Sequence, residues 1–186
     1  GGGGDALLEK VGPAGREAVG QKLTHFLRRV IEETLRHQGK EVFLEKNTWN
    51  VLWFEHILGL LPEARLVHIY RDPRDVVASF TRQTWMPDDP VQSATVYRDL
   101  MARWHGLRER LPADSFLELG LEELVANPED ALRRVCSFWV LDWDDALLQE
   151  DLGGAHTGRW REEFTAEQAA SVTAVLAEVL DRLGYE

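Results

Sequence analysis

The sequence predicts an α/β fold in which parallel strands are joined by crossover helices. Short apolar runs of strand length alternate with longer stretches whose apolar residues recur at helical spacing, the pattern of a parallel sheet covered by helices. One run, Leu66-Val67-His68-Ile69-Tyr70, leads through Arg71 into Asp72-Pro73, a capping residue followed by one preorganised for a first helical position. The composition is that of a folded chain: 186 residues, 44% apolar and 28% charged, enough for one domain with a substantial core.

Each element has its own signal. Residues 1–15 begin with the run Gly1 to Gly4 and read as a flexible tail, with one domain expected over 16–186. Across 16–36, Val19, Leu23, Phe26, Val30 and Ile31 fall at helical spacing. Residues 41–45 read as a strand, 49–61 as a helix stopped by Pro62, and 65–70 as the next strand. Helices are expected over 73–82 and 91–111, with a loop around Met86 and Pro87 between them. Residues 115–119 form a third expected strand, and Asn127-Pro128 opens the helix that carries Cys136. Thr165 and Gln168 have capping-box spacing for a last helix that stops at Gly184. There are no internal repeats.

Bulk properties exclude several roles. A net charge of -11 opposes nonspecific binding to nucleic acid, so a bound nucleotide must rely on local basic groups. No apolar run approaches the roughly 20 residues that cross a bilayer, and the start lacks a secretory-signal pattern, so a cytoplasmic protein is expected. The single cysteine, Cys136, has no intramolecular partner and fits as a small buried hydrophobe. The six histidines are scattered, without His-x-x-x-His or Cys-x-x-Cys pairs, so no metal site is expected. Trp53 and Trp139 lie in helical patterns and read as core. Trp85, in a loop, is the tryptophan to consider as an acceptor contact, although packing is the commoner role.

Chemistry concentrates at Arg71-Asp72-Pro73-Arg74-Asp75-Val76-Val77-Ala78-Ser79. Ser79 lies seven residues after Asp72, about two turns at 3.6 residues per turn, which returns it to the azimuth of the cap. A guanidinium at the strand tip, a hydroxyl on the helix and the positive end of that helix can converge on one phosphate. The competing possibility is a plain strand-to-helix turn in which Arg71 pairs with Asp72 or Asp75.

With its neighbours, this segment resembles the sulfotransferases that use 3'-phosphoadenosine 5'-phosphosulfate (PAPS), particularly their bacterial branch. Glu45-Lys46-Asn47-Thr48 is similar to that family's strand-end Glu-Lys-Thr-Pro segment, and residues 61–79 to its 3'-phosphate strand, loop and helix. Leu121-Glu122-Glu123-Leu124 is similar to its Tyr-Glu-Asp-Leu segment, and Gly158-Arg159-Trp160-Arg161 to its late Gly-x-Trp-basic block. The four blocks come in the family's order. The resemblance implies a three-layer parallel sheet of the P-loop nucleoside-kinase-like type and sulfuryl transfer from PAPS, with adenosine 3',5'-bisphosphate as product and no metal. It implies Arg71 and Ser79 as ligands of the PAPS 3'-phosphate. Lys46 is the implied cation that stabilises charge on the leaving oxygen, and the acceptor would be a small molecule, carbohydrate or lipid.

The chain departs from the family pattern in four places. No strand with a Gly/Ser/Thr-rich 5'-phosphosulfate loop is found: Gly1 to Gly4 and Gly12-Pro13-Ala14-Gly15 lack the flanking signals, and Gly39-Lys40 has Thr34 where a glycine is required and Glu41 after it. The first strand-loop-helix unit is therefore expected to be truncated, ahead of the alternatives that it is supplied from elsewhere or lost together with activity. A kinase using ATP would need the same absent Gly-Lys-Ser/Thr. Thr48 replaces the family's histidine and cannot act as a base, which leaves His56 and His105, both at helical spacing, as conceivable substitutes. Leu121 replaces an adenine-contacting tyrosine. Gly153, Gly154 and Ala155 replace an Arg-Lys-Gly triplet, so Arg159 or Arg161 would have to approach the phosphate unless each pairs with Glu162 or Glu163.

Overall fold

The structure is a computed structural model, described over residues 12–152 and 157–186. These residues form two compact units that divide between Ala64 and Arg65. Most of the expected tail lies outside the described residues, but Pro13 to Gly15 are already helical.

The first unit holds helices α1, Pro13–Gln38, and α2, Asn50–Leu60. Pro13 starts α1, and Gly39 ends it in the left-handed region at φ 60°, where a side chain would be strained. Arg28 on α1 pairs with Glu63 at 2.7 Å. The strand expected over residues 41–45 does not form, and residues 42–47 are irregular. A strand exists only when a neighbour accepts its hydrogen bonds, and this unit has no other strand among its described residues. Trp53 is also not core: Val51 and Phe54 carry the buried stripe of α2, and Trp53 stays 58% exposed, edge-on to His56.

The second unit contains β1, Leu66–Tyr70, and β2, Phe116–Gly120, paired in parallel from Leu66 opposite Phe116 to Tyr70 opposite Gly120. Parallel strands need a long crossover. Here it contains α3, Pro73–Phe80, and α4, Pro90–Arg108. After β2 come α5, Leu121–Ala126, and α6, Pro128–Trp139. A 3-10 turn, Asp145–Gln149, precedes α7, Trp160–Glu163, and α8, Ala166–Leu183. Helices α3, α4 and α8 pack together around Val77, Ala94, Val172 and Leu176, while α5 and α6 pack against β2. Cys136 is buried and free, and Trp139 is half-buried. The Thr165–Gln168 capping box forms in both directions. No described helix is long and apolar enough to cross a membrane.

Trp104 joins α4 to the sheet. Its ring packs against His68 and Phe116, and its indole N–H donates to Glu118 at 2.8 Å. Arg108 also donates to Glu118, and His68 Nδ1 lies 3.5 Å from it. Burial pushes the Glu118 carboxyl up, but the bonds from His68 and Trp104 and the charge of Arg108 outweigh it and hold the group at about 2. His105 on the same helix is buried, and its Nε2 has no partner among the described residues. Desolvation, then the charges of Arg108 and Arg182, lower its pKa.

Two outcomes follow from this packing. Because the folded pKa of Glu118 lies below the ordinary 4.5, its contribution is complete above 4.5 and is lost as pH falls through about 2. Glu118→Gln is expected to remove about 2 kcal/mol at neutral pH and to flatten the fall in melting temperature across that acid window, as read by thermal melts at several pH values. Val140, the cap of α6, is a β-branched residue at φ 58° that is 76% exposed. Val140→Gly relieves this strain and is expected to add about 1 kcal/mol in a denaturant titration.

Candidate functional site

Arg71 is the first residue beyond β1. Asp72 caps α3 by accepting the Arg74 N–H at 2.9 Å, and Pro73 takes the first helical position. The Asp72 main-chain N–H donates to Glu122 Oε1 at 3.0 Å, and Glu122 Oε2 accepts the Tyr185 hydroxyl at 2.6 Å. A strand end, a helix start and the segment after β2 are thereby fixed around one turn. Burial, then the bond to Glu122, pushes the Tyr185 hydroxyl pKa up and keeps it a donor.

Both acids that were possible partners for Arg71 are engaged elsewhere. Asp72 takes Arg74 Nε and Nη2 at 2.9 and 2.8 Å and the Trp160 indole N–H at 3.2 Å. The Asp75 carboxylate accepts the main-chain N–H groups of Gly158 at 2.6 Å and Trp160 at 2.9 Å. Arg74 stacks on Trp160, 4.3 Å from the ring centre, and donates to the Glu186 carbonyl at 2.7 Å. Buried charges persist only when paired and hydrogen-bonded, and this cluster meets that condition: Arg74 is 5% and Asp75 2% exposed.

Arg71 is half-buried, donates once to the Asp75 carbonyl at 3.0 Å, and forms no ion pair among the described residues. Ser79, in the last turn of α3, is half-buried, and its hydroxyl has no hydrogen-bond partner among the described residues. Tyr97 on α4 is buried edge-on to Phe80. Burial, aided by Asp72 and Glu122, raises its hydroxyl pKa, while the Arg71 charge opposes the rise.

Lys46 belongs to the first unit. It is exposed in the irregular 42–47 segment and forms no ion pair among the described residues; Glu45 hydrogen-bonds Asn50 instead. Gly153, Gly154 and Ala155 lie outside the described residues. Leu121 opens α5, half-buried. Trp85 packs on Phe80 beside an open depression of about 410 Å³ lined by the loop from Thr81 to Asp88, at the opposite end of α3 from Arg71. Among the described residues, no group of three or more metal-ligating side chains occurs.

Sequence reasoning missed Asp75, Arg74 and Glu122 as residues that build the site. The acids at positions 72 and 75 flanking Arg74 were visible as charges, but their partners lie as many as 88 residues away.

The model of the Sulfotransferase family matches residues 9–145. The omega-hydroxy-beta-dihydromenaquinone-9 sulfotransferase Stf3 of Mycobacterium bovis is 30% identical over 96% of this chain and 49% of its own length. Protein-tyrosine sulfotransferase 1 of Danio rerio is 24% identical over 84% of this chain and 52% of its own length. The chain therefore spans about half the length of these relatives. Among solved structures, the sulfotransferase domain of the Synechococcus PCC 7002 olefin synthase superposes with a TM-score of 0.65 at 21% identity, covering 84% of this chain and 63% of that domain. The sulfotransferase domain of the curacin biosynthetic pathway gives 0.61 at 14% identity, covering 85% and 68%. The fold is thus the α/β sulfotransferase fold, and a chain matched by the family model over most of its length, with a strand-end arginine left unpaired by its acidic neighbours, belongs to the sulfotransferase family.

Proposed function

We propose that this chain binds the 3'-phosphate of PAPS between Arg71 and Ser79, and that the protein it represents transfers the sulfuryl group of PAPS to an acceptor hydroxyl. One observation carries this: Asp72 and Asp75 are committed to Arg74, Gly158 and Trp160, so the Arg71 guanidinium keeps donors for an anion. The Ser79 hydroxyl stands two helical turns from the cap with no hydrogen-bond partner among the described residues.

In the reaction the acceptor oxygen attacks sulfur in line. The bond from sulfur to the 5'-phosphate oxygen breaks, the acceptor gives up its proton, and adenosine 3',5'-bisphosphate leaves. Negative charge grows on the departing phosphate oxygen, and a cation aimed there favours the transition state over the ground state. Lys46 is assigned that role because it stands in the family's Glu-Lys-Thr position. The acceptor is a small-molecule, carbohydrate or lipid alcohol. A hydroxyl acceptor, with an amine as the alternative, is supported by the mycobacterial relative's being named for an omega-hydroxy menaquinone and the Danio rerio relative's for protein tyrosine. The protein is assigned to the cytoplasm.

Isothermal titration tests the binding half. Adenosine 3',5'-bisphosphate is expected to bind more tightly than adenosine 5'-monophosphate, and Arg71→Ala to weaken the bisphosphate by about 10- to 100-fold, the worth of a charge-assisted hydrogen bond. A preference for ATP over the bisphosphate would overturn the reading. For the chemistry, transfer of labelled sulfate from PAPS to a panel of hydroxylated acceptors is expected to fall about 100-fold or more in Lys46→Ala. An unchanged rate in that variant removes Lys46 from the mechanism.

A further inference from the structure

The chain leaves α8 by a turn that carries it back to the strand-to-helix junction after β1. Gly184 sits in the left-handed region at φ 76°, its N–H donates to the Asp181 carbonyl at 3.2 Å, and the Tyr185 N–H reaches the Leu180 carbonyl at 2.9 Å. Glycine takes the left-handed conformation that reverses a chain at a helix end without strain. Tyr185 and Glu186 are thereby brought to the turn that holds Arg71.

The two residues brace that turn from different sides. The Tyr185 hydroxyl donates to Glu122 Oε2 at 2.6 Å, and Glu122 Oε1 accepts the Asp72 main-chain N–H at 3.0 Å. That N–H belongs to the peptide joining Arg71 to Asp72, so the carboxylate fixes the plane in which the chain leaves Arg71. Glu186 acts through its main-chain carbonyl, which takes Arg74 Nη2 at 2.7 Å, while Arg74 holds the Asp72 carboxylate. Both routes end on Asp72, one on its amide and one on its side chain.

Glu122 is half-buried and forms no ion pair among the described residues; its carboxylate has one hydrogen bond to each oxygen. A hydroxyl donating to a carboxylate makes a charge-assisted bond, stronger than a neutral one. Without that hydroxyl Oε2 loses its donor, and the carboxylate is free to turn away from the Asp72 amide. The Arg71 guanidinium has a single hydrogen bond among the described residues, from Nη2 to the Asp75 carbonyl at 3.0 Å, so its direction depends on the backbone that carries it.

We propose that Tyr185 is a positioning residue of the nucleotide site, which acts through Glu122 to fix the peptide after Arg71 and so aims the guanidinium at the 3'-phosphate. This inference rests on the binding reading above. Tyr185 touches neither phosphate nor acceptor. Its half-buried ring contributes packing, and its hydroxyl carries the positioning.

The test is calorimetric titration of the full chain with adenosine 3',5'-bisphosphate and adenosine 5'-monophosphate, whose affinity ratio reads the 3'-phosphate alone, beside a thermal melt of each variant. Tyr185→Phe keeps the ring and removes the donor, and is expected to lower that ratio about three- to tenfold. Glu122→Ala is expected to lower it at least as far, with Glu122→Gln intermediate because its amide oxygen still accepts the Asp72 N–H. Adding Tyr185→Phe to Glu122→Ala is expected to change the ratio little, the signature of action through Glu122. If Arg71→Ala lowers the ratio but Tyr185→Phe lowers only the melting temperature, the positioning role is refuted and the Arg71 reading stands. If the wild type does not distinguish the two nucleotides, both fall. An equal loss from Tyr185→Phe on the wild-type and Glu122→Ala backgrounds overturns the route through Glu122, and the Glu122→Gln background decides the same point where Glu122→Ala does not fold.

Discussion

The site depends on the buried carboxylate of Asp75. A carboxylate at 2% exposure must be fully hydrogen-bonded, and this one is satisfied by two amides from a turn 83 and 85 residues downstream. The requirement acts in both directions: the turn gains a fixed place, and the aspartate becomes unavailable to Arg71. Asp72 is held in the same way by Arg74 and the Trp160 indole. A sequence that places two acids beside an arginine would ordinarily neutralise it. Here each acid has other partners, and Arg71 forms no ion pair among the described residues.

Local charge and total charge thereby separate. The chain carries 32 acidic residues against 21 basic ones, and its mean field repels polyanions. Within the second unit, many acids are locked in pairs with Arg82, Arg108, Arg133, Arg134 and Arg159. Glu118 shows how firmly such an acid is held, since three donors keep it ionised despite burial. Arg71 forms no ion pair among the described residues, so its guanidinium is a local positive site on a chain whose net charge is negative.

What the sequence disclosed divides by the range of the interaction. The unit from Leu66 to Phe80 was legible in full because its cap, its proline and its apolar run are all local. The Thr165 capping box and the Gly184 stop were legible for the same reason. The strand expected at 41–45 failed because strand formation depends on a neighbour, and Val42 and Leu44 look the same with or without one. Trp53 misled because helical spacing gives a period but does not say which face is covered. That Arg71 has no ion pair among the described residues could not be read either, since the amides that occupy Asp75 and the indole that shares Asp72 with Arg74 lie more than 80 positions away. Arg74 looked like surface charge in the sequence, yet it is buried against an aromatic ring.

The separation in sequence between Asp75 and Gly158 also bears on how the molecule assembles. Contacts that close loops this long form late, because the chain entropy of closure must be overcome before the contact returns anything. The strand-to-helix turn can form early, being local, but the amides that occupy Asp75 arrive only once α8 has docked on α3 and α4. Until then Asp75 is free to neutralise Arg71. The arrangement that leaves Arg71 without an ion pair among the described residues is accordingly set by long-range contacts and not by the local turn.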